Sequence, residues 1–173
     1  MLEDNDYGYA RIIDFLREVD DAELVVETGI RGENASRIFK SIGEPGQRKS
    51  VPAPSGFTLV EIATVNEFGT EDGRIPERPA FRQAFDMNEA KYAAYLESEL
   101  LNIIENGGDM RHMLQQLGEV HVGDIQQRIR DLKEPKNSDV TIARKGSSNP
   151  LIDTGRLRQS VDYIVKVNKG RMP

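Results

Sequence analysis

The strongest constraint on the fold is a helical hydrophobic pattern that runs from Pro79 to Leu132 and is interrupted at Asn106-Gly107-Gly108. Proline suits the first turn of a helix, glycine suits the end of one, and Asp109 can cap the next. The pattern therefore predicts two long helices, the second of which stops before Pro135. Their predicted apolar faces comprise Phe81, Phe85, Tyr92, Leu96, Leu100 and Ile103, and then Met113, Leu114, Leu117, His121, Ile125, Ile129 and Leu132.

The segments before these helices predict shorter elements. Apolar residues at helical spacing predict an amphipathic helix over residues 5–19. Residues 22–32 and 57–70 alternate as strands do, and we expect them to pair as a hairpin. Residues 33–56 lie between them and are punctuated by proline and glycine, which predicts a protruding basic hairpin or loop arm at the tip.

The segments after the helices complete the predicted fold. Residues 133–149 are polar and predict a loop, residues 153–159 predict one helical turn, and residues 160–167 predict a strand. The predicted fold class is α+β, with a small antiparallel or mixed β-sheet covered on one face by two long helices and with an extended hairpin arm. A chain of 173 residues can form this as one domain, residues 1–173.

Composition excludes several functional classes. The chain has no cysteine, so disulfides, thiolate chemistry, zinc ribbons and iron-sulfur clusters are excluded. His112 and His121 are not three or four residues apart, as two ligands on one helix face would be, and we expect neither a metal nor a cofactor. No apolar run approaches the roughly 20 residues that cross a bilayer, and the N-terminus is acidic where a signal peptide is basic. We expect no membrane partner and a location inside a cell or in something assembled there.

The charges are segregated along the chain. Residues 1–30 carry two basic and nine acidic side chains, whereas residues 31–50 carry five basic and two acidic. Residues 51–135 carry eight against fifteen, and the last 38 residues carry eight against three. The basic segments could lie on acidic neighbouring copies, face a polyanion, or simply form a solvated face. The candidate interface or DNA-facing residues are Arg31, Arg37, Lys40, Arg48, Lys49, Arg156 and Arg158.

The tripeptide Asp153-Thr154-Gly155 allows a catalytic and a structural interpretation. Aspartic proteases build half of a carboxylate dyad on this tripeptide, but only 18 residues follow it here and Arg156 would place a cation beside the dyad. The structural interpretation is that Asp153 or Thr154 caps a short helix while Gly155 makes the turn tight. Leu151, Ile152 and Leu157 would then pin this turn to the core, and Arg156 and Arg158 would point outward. We favour the cap and predict no catalytic residue.

Four stretches in order resemble a known family: VNEFGT (65–70), IPERPAFRQAFD (75–86), LGEVHVGDIQQRI (117–129) and SSNPLIDTGRLRQSVDYIV (147–165). Together they resemble the phage virion morphogenesis family of tailed-phage neck or tail-completion proteins, and the resemblance spans residues 57–168. The family pattern carries over mainly at positions that specify the fold. They are Glu67, Phe68, Gly69, Pro76, Arg78, Pro79, Phe81, Pro150, Leu151, Asp153, Thr154, Gly155, Leu157 and Ser160.

The resemblance implies a structural function. The expected protein is a neck or tail-completion component of the virion that forms a homo-oligomeric ring, sixfold or alternatively dodecameric, between the head connector and a tail-tube or tail-terminator ring. Double-stranded DNA would pass through the ring, and assembly would take place in the host cytoplasm. The alternatives are a DNA-binding protein that uses the basic arm, and an aspartic protease at Asp153.

Overall fold

A computed structural model describes the chain at residues 13, 17 and 22–169. Ile13 and Arg17 are helical, and the rest of the helix predicted over residues 5–19 lies outside the described residues. The elements from residue 22 onward are β1 (Ala22–Ile30), α1 (Glu33–Ser36), β2 (Phe39–Ile42), β3 (Lys49–Pro52), α2 (Leu59–Phe68), α3 (Ala80–Asn106), α4 (Met110–Asp131), α5 (Asp139–Lys145), α6 (Arg156–Gln159) and β4 (Val161–Lys169).

The fold class is α+β, as predicted, with a small antiparallel set of strands beside the helices. β1 pairs with β4, and β2 pairs with β3 in a register that places Phe39 opposite Pro52 and Ile42 opposite Lys49. The two long helices are confirmed as α3 and α4, and the final strand as β4. Asp109 accepts a hydrogen bond from the Arg111 N–H at 2.8 Å, which is the predicted capping position for α4.

Contacts divide the chain into two compact units. The first comprises Met1–Glu27, Ala90–Gly118 and Ile164–Pro173, and the second comprises Thr28–Glu89 and Glu119–Tyr163. The core of the first unit is built on Ile103, Met110, Met113 and Leu114, against which Leu24 and Val26 of β1 and Val165 of β4 pack. Within this unit, strands therefore lie on the long helices through their apolar faces.

The second unit has its own core. Its buried members come from the start of α3, the second half of α4, and the segment from residue 151 onward: Ala80, Ala84, Ile125, Ile129, Leu132, Leu151 and Val161. Ile129 is fully buried, and Ala80 and Ala84 are nearly so. Phe85, which the apolar pattern places on the buried face of α3, is 50% exposed. In the second unit, Ala80 and Ala84 are the buried residues of this helix, and the half-buried Phe81 packs against the same core.

Two sequence predictions about local structure are wrong, those for residues 57–70 and 133–149. The segment 57–70 contains helix α2 (Leu59–Phe68) rather than a strand, and β1 pairs with β4 instead of with this segment. Residues 33–56 contain a hairpin, β2–β3, as predicted, and its Gly46 N–H lies 3.0 Å from the Lys145 carbonyl oxygen. Residues 133–149 are not only loop, because α5 lies within them.

Candidate functional site

Glu67 joins the end of α2 to the beginning of α3. Its side chain is 6% exposed, and its two carboxylate oxygens accept hydrogen bonds from the backbone N–H groups of Phe81 at 3.0 Å and Arg82 at 2.9 Å. The Arg82 side chain donates to the Glu67 backbone carbonyl at 2.9 Å and to Glu77 at 3.0 Å. The first N–H groups of a helix have no partner within the helix, and the N-terminus favours negative charge. Glu67 therefore acts as the cap of α3, supplied from a neighbouring helix.

Gly69 and Arg78 hold the connection between α2 and α3. Gly69 has φ of +72°, and a Cβ atom there would lie 2.9 Å from the Ile75 carbonyl oxygen. Arg78 is 4% exposed and donates to the carbonyl oxygens of Pro135 at 2.8 Å and Lys136 at 3.1 Å. Burial lowers the pKa of Arg78 below its ordinary value. The guanidinium pairs with two backbone carbonyls that follow α4, which ties that segment to the start of α3.

Asn149 and Lys145 organise the segment that precedes α6. The Asn149 side chain donates to the Arg130 carbonyl at 2.8 Å and accepts from the Leu151 N–H at 2.9 Å. The Lys145 ammonium is buried and donates to the carbonyls of Asn149 at 2.9 Å and Pro150 at 3.2 Å. Burial lowers the pKa of Lys145, Asp153 opposes that shift, and Arg78 and Arg144 add to it. Both side chains satisfy backbone groups that no helix or strand pairs.

Asp153 fixes the β2–β3 hairpin instead of capping α6. Its carboxylate accepts a hydrogen bond from the Ser41 hydroxyl at 2.5 Å and lies 3.0 Å from Arg48 Nε. Of the two caps that the sequence predicts, Asp153 or Thr154, the one at Asp153 is therefore wrong. Gly155, with φ of +78°, takes the cap position of α6 without a side-chain bond, and Thr154 Oγ1 accepts from the Arg156 N–H at 3.4 Å.

The basic residues of the hairpin and of α6 fall into different environments. Arg48 also donates to the carbonyls of Ser41 at 3.1 Å and Arg144 at 3.2 Å, so it is a structural residue rather than one free to face DNA. Arg156 was predicted to point outward, but it is half-buried, with its guanidinium 4.3 Å from the centre of the Phe39 ring. Among the remaining candidates, Lys40 and Lys49 are exposed, and Arg37 is exposed and forms an ion pair with Glu33. Arg31 and Arg158 are half-buried.

The remaining family-pattern residues sit around these contacts. Leu151 and Leu157 are buried, Pro150 is buried beside the Lys145 ammonium, and Ser160 closes α6 with its N–H at 3.0 Å from the Arg156 carbonyl. Pro76 and Pro79 are half-buried in the connection to α3. The sequence-predicted positions are thus brought together in the second unit, at the joints between its elements.

Comparison of the chain with family models, curated proteins and solved structures finds no match. The function has to be argued from the geometry and from the motifs.

The second unit carries an apolar groove between α2 and α3, which we call the α2–α3 groove. It encloses about 310 Å³. Its lining is Ile30, Val60, Ala63, Thr64, Glu67, Phe68, Phe81 and Arg82. Phe68 is 61% exposed and Val60 is 41% exposed, although both are large apolar residues. The Arg82 guanidinium lies 5.0 Å from the centre of the Phe68 ring, a cation–π contact that holds the ring at the groove.

The second unit also carries a cationic cavity of about 240 Å³ between the hairpin and α6, which we call the hairpin cavity. Its polar and charged lining includes Ser50, Asn66, Arg144, Lys145, Asp153, Thr154 and Arg156. Its apolar lining includes Phe39, Leu59, Ile62, Leu151 and Leu157.

Two kinds of site are not found within the part of the chain that the structure describes. No cluster of three or more His, Asp or Glu side chains in residues 13, 17 and 22–169 could hold a metal ion. No helix among these residues combines the length and apolar character that a membrane span requires.

Sequence reasoning missed Lys145, Asn149 and Arg82. Asn149 stands directly before Pro150 within a stretch that resembles the family, and an asparagine there is a signal of turn chemistry. Lys145 carries no such signal, because a lysine in a polar segment reads as solvated until the fold buries it. Arg82 follows Phe81 on a helix, where a cation is ordinarily exposed.

Proposed function

We propose that this protein is a structural subunit that assembles with copies of itself through the α2–α3 groove, as a ring component of a tailed-phage head–tail junction. The observation that carries the self-assembly is the exposure of Phe68 and Val60 on an apolar concave surface. Contiguous exposed apolar surface on a globular protein marks an interaction site. An aromatic anchor at such a surface contributes much of the binding energy of an interface.

The groove has the rigidity that an interface needs. Glu67 caps α3 from α2, and Gly69 permits the close backbone approach between them. Arg82 links Glu67, Glu77 and the Phe68 ring. The two walls therefore stay in one arrangement before a partner arrives, so association loses little conformational entropy.

A second copy of this chain is the proposed occupant. The first 30 residues are net acidic and residues 31–50 are net basic, and segments of opposite charge can complement each other when copies associate head to tail. Head-to-tail contacts between identical subunits form a closed ring when the rotation closes. The groove supplies the apolar contact and the charge segregation supplies the orientation.

The resemblance to neck and tail-completion proteins supplies the biological setting of the proposal. The ring, sixfold or dodecameric, would sit between a head-connector ring and a tail-tube or tail-terminator ring and let double-stranded DNA pass. The stretches that carry the resemblance supply four residues that line the groove: Glu67, Phe68, Phe81 and Arg82. In this proposal these residues determine the shape of the subunit and its contacts with other copies.

The environment of Asp153 supports a structural protein over an aspartic protease. A shared-proton dyad requires two carboxylates side by side. Asp153 instead accepts from Ser41 and faces Arg48, and both partners fix the β2–β3 hairpin.

The test is a matched pair of substitutions at exposed apolar residues. Phe68→Ser removes the aromatic anchor of the groove, and Val140→Ser removes an 80% exposed valine on α5 that does not line it. Sedimentation velocity should show that Phe68→Ser shifts the protein toward the monomer, while Val140→Ser leaves the distribution of the unsubstituted protein. Equal effects of both, or no effect of either, would refute the groove as the interface.

The location is tested separately in particles. If the proposal holds, cryo-electron microscopy of phage lacking this protein should show heads and tails that fail to join. Normally joined particles without it would refute the head–tail assignment while leaving the self-assembly result standing.

A further inference from the structure

The hairpin cavity has an excess of positive charge that the proposed ring function does not use. Arg144, Lys145 and Arg156 line it, and Asp153 is the acidic residue among its lining. Asp153 is itself compensated by Arg48, at 3.0 Å, with both side chains largely buried. The lining therefore carries three cationic side chains and one carboxylate, which gives it a net positive charge.

One of these charges, the Lys145 ammonium, is buried away from solvent. The residue is 7% exposed, and its Nζ donates to the Asn149 and Pro150 carbonyls. An ammonium has three donors, and the described residues supply acceptors for two. Burial lowers the pKa of Lys145, Asp153 partly opposes this shift, and Arg78 and Arg144 add to it. An anion in the cavity would accept from the remaining donor and relieve this unfavourable environment.

Arg156 and two hydroxyl groups supply the directional contacts. The Arg156 guanidinium is held 4.3 Å from the Phe39 ring centre, which restrains its plane. A planar fork of donors matches the oxygens of a phosphate. Ser50 and Thr154 also line the cavity and add neutral hydroxyl donors.

We propose that the hairpin cavity binds a phosphate group. Its volume of about 240 Å³ exceeds the roughly 30 Å³ share of one water severalfold, so a phosphate and part of an attached organic group fit. Leu59, Ile62 and Leu157 would contact the organic part, while Arg144, Lys145 and Arg156 hold the phosphate. The phosphate could belong to a nucleic acid or to a small molecule, and both share this chemistry.

The experiment is a titration of the full chain with inorganic phosphate, followed by amide NMR at constant ionic strength set with chloride. We expect saturable shifts at Gly155 and Arg156. Arg156→Gln should weaken binding about tenfold or more, because it removes a charge-assisted contact. Arg158→Gln removes the same charge two residues later, outside the cavity lining, and should leave the affinity unchanged.

A second variant keeps the test decisive if Arg156→Gln does not fold. The Arg144 side chain is exposed, so Arg144→Gln should preserve the fold and still weaken phosphate binding severalfold. Shifts that grow without saturating, or an Arg158→Gln variant that loses as much affinity as Arg156→Gln, would overturn the proposal.

A short DNA duplex then distinguishes the two sources. Displacement of phosphate from Gly155 and Arg156 by the duplex, with an affinity that falls steeply with salt, assigns the site to nucleic acid. Bound phosphate that the duplex does not displace assigns it to a small phosphorylated molecule. Phosphate binding does not require the ring, so the Phe68→Ser variant should bind phosphate normally, and failure of either proposal is seen independently of the other.

Discussion

At the scale of the residue, several charged side chains are buried because they satisfy backbone groups. Glu67 accepts from the first N–H groups of α3, and Arg78 and Lys145 donate to carbonyls that no helix or strand pairs. Burying a charge is unfavourable unless it is hydrogen-bonded, and each of these side chains is. Their burial therefore marks the joints at which the second unit is held together.

Glu67→Gln should destabilise the second unit because the amide keeps the shape but loses the charge that faces the N-terminus of α3. We expect the free energy of unfolding to fall by about 1.5–3 kcal/mol, the worth of a hydrogen bond to a charged group. Urea denaturation measures it. Glu71→Gln, at an exposed loop position, is the matched control and should change little; equal losses in both would contradict the capping role.

Lys145 makes stability depend on pH in a definite direction. Its pKa is lowered in the folded chain, chiefly by burial, from the ordinary 10.5. Between the folded and unfolded pKa values the unfolded chain holds the proton and the folded chain releases it, so stability rises with pH up to 10.5. We expect Lys145→Met to abolish this rise.

The measurement for Lys145 is the free energy of unfolding against pH in phosphate-free buffer, for the unsubstituted chain and for Lys145→Met. The free energy of unfolding of the unsubstituted chain, minus that of Lys145→Met, should increase as pH approaches 10.5 from below. Lys49→Met, at an exposed position on β3, controls for the general loss of a lysine. A difference that stays constant over this window would contradict the burial effect.

At the scale of the element, α2 is helical although its sequence pattern is typical of a strand, because capping stabilises the helix. Its β-branched residues alternate as a strand would, yet Thr58 and Glu61 form a reciprocal capping box, with the Thr58 N–H 2.7 Å from Glu61 and the Glu61 N–H 3.2 Å from Thr58. Gly69 then ends the helix with a positive φ. Glu67 can reach α3 only from a helix in this place.

Gly69→Ala tests the close approach that ends α2. Gly73 provides the matched control, since both glycines have positive φ, at +72° and +70°, but a Cβ atom at Gly73 would meet nothing within 4 Å. We expect Gly73→Ala to cost about 1 kcal/mol for the strained backbone alone. Gly69→Ala should cost a further 1 to 3 kcal/mol, roughly, for the clash with the Ile75 carbonyl. Thermal denaturation of both variants would decide, and equal melting temperatures would contradict the close contact.

At the scale of the whole molecule, the chain combines an apolar groove with segregated charge. In the proposed assembly, the groove would favour association without regard to direction, whereas the net acidic residues 1–30 and the net basic residues 31–50 would favour one orientation of neighbouring copies. Salt screens the second effect much more than the first.

Association through the α2–α3 groove should therefore carry the thermodynamic mark of apolar burial. Calorimetric dilution of the assembled protein at several temperatures should give a negative heat capacity change of association. Phe68→Ser should reduce its magnitude, and raising the salt concentration should slow association more than it speeds dissociation. A heat capacity change near zero, or association abolished by moderate salt alone, would contradict the groove as the main contact.

The sequence by itself determined the α+β class, the bounds of α3 and α4, β1, β4 and the short helix α6. These elements carry local signals: helical spacing over two dozen residues, glycine at helix ends, and alternation in strands. Such signals can be recognised without knowledge of the fold. Helix α2 carries a local signal, the capping box of Thr58 and Glu61, which the strand-like alternation concealed. Tertiary structure decided that Asp153 binds the hairpin. It also decided that Lys145 is buried. Each of these depends on partners distant in the chain, so no local pattern could have shown it.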